Sequence, residues 1–458
     1  MIEQNLQQIF NSQREYFYTN STRDISFRIL MLKKLRNQII ETQKEIEEAL
    51  YIDLHKSPTE SYITEIGFVL SEINRCIKSL KLWSKPKRVA SSIACFPSSA
   101  RIISEPYGVC LIISPWNYPF QLLISPLIGA ISAGNCAILK PSEHSPHTSK
   151  IIEKIISNVF PNNYVFTALG EKEVSQELLE KDFDYIFFTG SSNLGKHVME
   201  KASQHLTPIT LELGGKSPCI IDKDANIEIS AKRVCFGKFL NAGQTCIAPD
   251  YLFVHKDIKE KFVEKLIESI HQFFTQDIIN SKDYGRIINQ VHFQRLKRML
   301  EDGKILFGGD NNEELKYISP TLIEDISPNS DLLSQEIFGP ILPIISFENI
   351  DKLVQELRRK PKPLALYVFS QSRKTQQKVI SNISSGGVCI NDTIMHIVPH
   401  GLPFGGVGNS GIGSYHSKKS FDTFSHQKSV LDRKTWLDVP LRYPPFTETT
   451  KKIVKKIM

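Results

Sequence analysis

Asp184 to Gly195 reads DYIFFTGSSNLG: an apolar run, then a small polar loop, then a helix expected over Lys196–Ala202. A run such as DYIFF lacks polar alternation, so it reads as a strand covered on both faces. The loop Thr189-Gly190-Ser191-Ser192-Asn193-Leu194-Gly195 follows directly. Free backbone N–H groups and the positive end of a helix there would suit a phosphate. The spacing departs from the GxGxxG dinucleotide fingerprint. An ordinary Ser-capped helix start accounts for the same residues, and both readings stand at this point.

Outward toward the N-terminus, Val109–Ile113 (VCLII) is a second buried strand, and Tyr164–Ala168 is a short third. Between them Phe120–Leu139 is about long enough to cross a bilayer. Gln121, Pro126, Asn135 and the Gly134-Asn135 turn argue instead for a buried helix over Pro126–Ala133 and a strand over Cys136–Leu139. A helix over His147–Phe160 follows. Strands alternating with helices predict a parallel sheet with crossovers. Outward toward the C-terminus, Pro208–Gly215 is a strand ending in a Gly pair. Glu212 stands there within apolar alternation, so it is either on a solvent face or placed in a site, and the pattern alone favours the solvent face.

Residues 1–80 read as mainly helical, with a start signal at Ser21–Asp24. Leu32, Leu35, Ile39, Ile46 and Ala49 form one apolar stripe on a surface helix. Lys85–Arg88 and the Ser-rich run to Ala100 read as a linker, or as an extended excursion to a neighbouring subunit. After Ile220–Asp222 and a helix over Ile229–Phe239, strands at Tyr251–His255, Ile341–Phe347 and Leu364–Phe369 repeat the α/β style as a separate lobe. Amphipathic helices over Ile258–Phe273 and Gln290–Glu301 lie between them.

The 458 residues exceed what one core organises, and a hydrophobic share of 41% is ordinary for a globular protein. A formal charge of +7, with its basic residues dispersed, is a solvated surface rather than a nucleic-acid site. None of the eight cysteines stands in a CxxC pair, and MIEQNLQQIF has no apolar leader core. A reducing, cytoplasmic setting is expected. His144, His147 and His400 show no ligand spacing, so no metal is expected.

Within LNAGQTCIAP, Leu240–Pro249, Cys246 stands in a small polar loop that another molecule can approach. Spacing cannot choose it among the eight cysteines. The motifs around it can. PWNYP (Pro115–Pro119), KPSE (Lys140–Glu143), FTGS (Phe188–Ser191), LELGGKSP (Leu211–Pro218), GQTC (Gly243–Cys246), EIFGP (Glu336–Pro340) and PFGG (Pro403–Gly406) resemble, in order, the aldehyde dehydrogenase superfamily. NDTIMH (Asn391–His396), the run Pro403–Lys428 and RYPP (Arg442–Pro445) resemble its class 3, fatty and aromatic aldehyde, branch.

That resemblance implies an α/β fold with a variant Rossmann cofactor domain (1–84 and 102–212) and a catalytic domain (213–411). It also implies a bridging or oligomerisation element with a C-terminal tail (85–101 and 412–458). It assigns Cys246 as nucleophile, Glu212 as general base, and Asn117 with the Cys246 N–H as oxyanion donors. Glu212 favours release of a free acid over transfer to coenzyme A. Trp116, Lys140, Glu143, Gly190, Ser191, Gly195, Glu336 and Phe338 would hold NAD, with NADP also accepted. Tyr118 and Phe404 would line an apolar aldehyde funnel. The resemblance further implies a homodimer. The basic tail Lys451–Met458 reads as a helix-like end with at most weak contact to anionic lipid.

Overall fold

The computed structural model describes residues 5–457; residues 1–4 and Met458, the ends of the expected cofactor domain and basic tail, lie outside them. Two mainly parallel sheets organise the chain. The first has six strands in the order Gly411–Ile412, Ile209–Glu212, Tyr185–Thr189, Val109–Ile113, Cys136–Lys140 and Val165–Thr167. All its pairs are parallel except the short Gly411–Ile412 edge. The chain enters at Val109–Ile113, winds one way through Cys136 and Val165, then returns to the other side at Tyr185. Val109–Ile113 and Tyr185–Thr189 therefore flank a switch in winding direction, and open α/β sheets bind ligands beyond the carboxyl ends of such strands.

The second sheet has seven strands, with Pro218–Ile221, Tyr251–His255 and Ala365–Phe369 near its centre, and only Lys304–Phe307 is antiparallel. Lys87–Val89, Ser98–Pro106 and Ser425–Arg433 form a separate three-stranded antiparallel sheet. The Ser-rich run is thus no free linker: it leads into a strand paired along its whole length with a strand from near the C-terminus.

Three expectations are corrected. The apolar stripe of the N-terminal third belongs to two helices, Ile25–Glu41 and Gln43–Leu54. The chain breaks at Thr42, whose hydroxyl donates back to the Gln38 carbonyl at 2.7 Å. The buried helix starts at Gln121, not Pro126, and carries Pro126 inside it. An interior proline costs about 3 kcal/mol, but all thirteen residues of this helix are buried. Its first N–H groups, on Phe120 and Gln121, donate to the Glu65 carboxylate at 2.9 and 3.2 Å. Glu212 is not on a solvent face. Helices cover both sides of a doubly wound sheet, and Glu212 is only 3% exposed.

Phe120–Leu139 resolves into that helix and the strand Cys136–Lys140. Among the described residues no helix is long and apolar enough to cross a membrane. The tail forms a helix, Glu448–Ile457.

Candidate active site

A cleft of about 990 Å³ opens at the carboxyl ends of the first sheet and is closed from the other side by the second lobe. Trp116, Asn117, Lys140, Glu143, Gly190, Ser191, Glu212, Cys246, Glu336 and Phe338 all line it. They converge because Ile113, Lys140, Thr189 and Glu212 end four neighbouring strands of that sheet.

Cys246 is presented by a tight turn. Asn241, Ala242 and Gly243 have φ of 52°, 50° and 73°, three successive left-handed residues. At Gly243 a Cβ would stand 2.3 Å from the Gly339 carbonyl oxygen. Gln244 locks the turn: its amide donates to the Asn241 and Arg286 carbonyls and its oxygen accepts from the Ile288 N–H. Thr245 shares a 2.6 Å hydrogen bond with the Tyr118 hydroxyl, and the Tyr367 hydroxyl donates to the Ile247 carbonyl. Cys246 as a residue is left partly accessible. Burial, then the Glu336 and Glu212 carboxyls, push the thiol well above its usual range. Gly243→Ala is expected to lose at least about 1–2 kcal/mol from backbone conformation alone. A shift of the urea midpoint relative to wild type checks it.

Glu212 ends the strand Ile209–Glu212, and both its carboxyl oxygens are buried without a hydrogen-bond partner among the described residues. Burial alone raises its pKa well above the ordinary carboxylate value. A buried polar group left unpaired is costly. Asn117 is buried. Its amide donates to the Gln244 carbonyl at 2.9 Å, which uses one of its two N–H bonds.

On the other flank, Ser191 caps the helix Ser192–Ser203, its hydroxyl accepting from the Leu194 N–H. The Ser-cap reading and a loop facing the cleft therefore hold together. Gly195 does not line the cleft. It lies buried in that helix, where a Cβ would meet the Leu213 side chain at 2.7 Å. Lys140 pairs with Glu143 at 3.3 Å. Burial opposes ionisation of Glu143, but its own backbone N–H and Lys140 hold it below the usual carboxylate range. Glu336 packs so close to Gly214 that a Cβ there would overlap its carboxylate, a physical reason for the Gly pair. Burial and Asp250 push the Glu336 carboxyl up to about 8. Phe338, with φ of 50°, sits edge-on to Trp116 at 5.4 Å.

The cleft's size, the capped helix start and the Lys140–Glu143 pair fit a dinucleotide. Neither Tyr118 nor Phe404 lines this cleft. Tyr118 is buried beside Thr245. Phe404 lies between the rings of His396 and His416 at 6.2 and 5.3 Å. Among the described residues no three His, Cys, Asp or Glu side chains form a metal-ligand set.

Sequence reasoning missed His292 and Arg295, which line the cleft from the helix Gln290–Met299. The ring of His292 lies 4.9 Å from Trp116. Their spacing of three residues puts them on one helix face, but surface helices carry the same signal. It also missed Lys216 and Asp250. Lys216 pairs with Asp250 and donates to the Leu332 and Gln335 carbonyls, while Asp250 accepts the Ile337 N–H at 2.9 Å. Together they fasten the loop that carries Glu336 and Phe338.

The model of the aldehyde dehydrogenase family matches residues 3–430. The 4,4'-diaponeurosporen-aldehyde dehydrogenase of Staphylococcus aureus is 47% identical over 96% of each chain. The dimeric NADP-preferring aldehyde dehydrogenase of Rattus norvegicus is 45% identical over 94% of this chain and 96% of its own. The substrate-bound structure of Staphylococcus aureus AldH superposes with a TM-score of 0.96 at 46% identity, covering 98% of this chain and 99% of that one.

Proposed function

The chain belongs to the aldehyde dehydrogenase family and oxidises aldehydes to carboxylic acids with NAD(P), and we propose that Cys246, Glu212 and Asn117 carry that reaction. The observation that carries this reading is that a partly accessible cysteine and a buried, unpartnered carboxyl line one cleft with a helix-capping loop.

The Cys246 sulfur, as thiolate, adds to the aldehyde carbon and forms a C–S bond. The alkoxide oxygen that results needs donors already in place. The second amide N–H of Asn117 and the backbone N–H of Cys246 are the donors for it. NAD(P)+, when bound, accepts the hydride that leaves this carbon, and a thioester on Cys246 remains. Glu212 then takes a proton from water as it attacks the thioester carbonyl, the C–S bond breaks, and a carboxylic acid leaves. An acceptor carboxyl without any protein partner suits this task, and supports hydrolysis over transfer to coenzyme A.

Glu143 is placed to accept a ribose 2′-hydroxyl and to repel a 2′-phosphate, which favours NAD with NADP as second choice. The NADP-preferring rat relative supports that second choice. Glu143→Gln is expected to lower the KM ratio of NADP to NAD by about tenfold, the effect of about 1.4 kcal/mol. Initial rates at saturating aldehyde check it.

Trp116, Lys140, Glu143, Gly190, Ser191, Glu336 and Phe338 form the cofactor wall of this reading, with Gly195 as a packing residue behind it. Tyr118 and Phe404 would border the aldehyde approach. The three sheets support a division into a cofactor domain, a catalytic domain and a bridging element, although Ser98–Pro106 and Gly411–Ile412 each run across one of its boundaries. Exposed Ile93, Phe96 and Trp436, at 77, 57 and 71%, sit at the three-stranded sheet and support a homodimer formed there. A cytoplasmic enzyme with no nucleic-acid partner, and with at most weak lipid contact at the basic tail, completes the reading. The test is NAD(P)H formation with hexanal or benzaldehyde in the absence of coenzyme A, with equimolar carboxylic acid as product. A strict requirement for coenzyme A would overturn it.

A further inference from the structure

Behind the cleft lies a buried charged cluster that the chemistry above does not use. Lys56 and Glu65 are both fully buried, with side chains 0% exposed, and form an ion pair. Taking two opposite charges out of water gains little unless their remaining hydrogen-bonding capacity is met. Here it is met by one segment. The Glu65 carboxylate accepts the Phe120 and Gln121 N–H groups. The Lys56 ammonium donates to the Asn117 carbonyl at 2.9 Å and lies 4.0 Å from the centre of the Tyr118 ring. Asn241, in the turn that presents Cys246, donates its side-chain amide to the same Asn117 carbonyl at 2.7 Å. Its own backbone N–H is held at 2.9 Å by Glu60, a carboxyl that burial pushes up to about 7. The Asn117 peptide is thus gripped from two sides, once from the helical N-terminal segment and once from the nucleophile's own turn.

We propose that Lys56 and Asn241 are positioning residues for the oxyanion site: by clamping the Asn117 carbonyl they aim its free amide N–H at the oxygen formed when Cys246 adds to an aldehyde. This rests on the assignment of Asn117 as an oxyanion donor. The physical reason for such a clamp is angular. An asparagine side chain turns about two torsions, and its donor stabilises charge only if held at the oxygen's place. Fixing the peptide removes the backbone's share of that freedom. The Glu65 pairing serves the same end, since the buried ammonium keeps its place only beside that carboxylate. Both clamping residues touch Asn117 and not the reacting atoms.

The test is the rapid NAD(P)H burst in stopped flow, read beside the rate at which iodoacetamide alkylates Cys246. Alkylation forms no oxyanion, so a positioning role moves the burst alone, whereas a collapsed site moves both. The charge-neutral pair Lys56→Met/Glu65→Gln avoids an uncompensated buried carboxylate. It is expected to slow the burst by about 10²-fold, the size of effect that misplacement by an ångström produces, with alkylation unchanged. Asn241→Gly keeps the left-handed backbone and removes only the side-chain donor. It is expected to slow the burst at least about tenfold, and it carries the test alone if the double variant does not fold. A burst within about threefold of wild type in the folded variants, or alkylation lost in step with the burst, overturns the clamp. Asn117→Ala separates the two claims. If it leaves the burst unchanged, the oxyanion assignment falls. If it slows the burst while the clamp variants do not, the clamp alone falls.

Discussion

Cys246→Ala is expected to lower aldehyde-dependent NAD(P)H formation by on the order of 10⁴-fold or more, the scale on which removing a covalent nucleophile acts. No other thiol can replace it. Cys110, Cys136, Cys219 and Cys235 are buried within strands or helices of the two lobes, and none of the eight cysteines except Cys246 lines the cleft. Alanine fills less space, but the residue is partly exposed and the turn is held by Gln244, Thr245 and Ile247 rather than by the thiol. The variant should therefore unfold within about 1 kcal/mol of wild type. NADH binding, followed by quenching of the cleft tryptophan Trp116, should be unchanged. Loss of rate with retained binding and stability identifies the chemistry; loss of all three would mean a broken fold.

Glu212→Gln is expected to divide the reaction in two. The first turnover keeps its burst, because addition of sulfur and departure of hydride need no carboxylate at Glu212. Steady turnover falls by about 10²–10⁴-fold, the contribution of a placed general base. The pH dependence follows from the direction of the shift. Glu212 is raised well above the ordinary carboxylate range by burial. The fraction able to accept a proton grows as pH rises through its raised pKa. Where hydrolysis limits turnover, wild-type kcat should still climb with pH above the range in which an ordinary carboxyl has finished titrating, and Glu212→Gln should stay flat there. Stability runs the opposite way. A carboxyl raised on folding contributes stability in full only below its unfolded pKa, and that contribution drains away as pH rises through the folded one. Glu212→Gln should accordingly gain Tm over wild type at pH 8 and less so at pH 5. A residue that costs stability at working pH yet holds no partner is explained by its chemistry.

Much of the cofactor sheet was legible because VCLII and YIFF, Tyr185–Phe188, are unbroken runs without polar alternation, which coverage on both faces permits. The same logic explains the errors. Alternation around Glu212 tells which residues share a face, but not whether a helix covers that face. The early start of the Gln121 helix was hidden because its N–H groups are received by Glu65, fifty-five residues away in sequence. The break at Thr42 was hidden because the apolar stripe runs on through both helices. The three-stranded sheet was hidden because a Ser-rich run becomes a strand only when Ser425–Arg433 pairs with it. In the site, short motifs brought ten residues to one cleft, but they said nothing of His292, Arg295 or the Lys216–Asp250 pair, whose roles exist only in three dimensions. Tyr118 and Phe404 carried the right residue type for a funnel, and neither lines the cofactor cleft: Tyr118 bonds Thr245 beside the nucleophile, and Phe404 stacks on His416.

An aldehyde that becomes a thioester on one sulfur leaves a covalent mark that peptide mapping by mass spectrometry reads directly. Glu212→Gln is mixed with benzaldehyde and NAD, quenched in acid within the burst, and digested. A benzoyl mass increment on the peptide containing Cys246, absent when NAD is omitted, is the predicted result; an increment on any other cysteine, or none despite a full NADH burst, would contradict it.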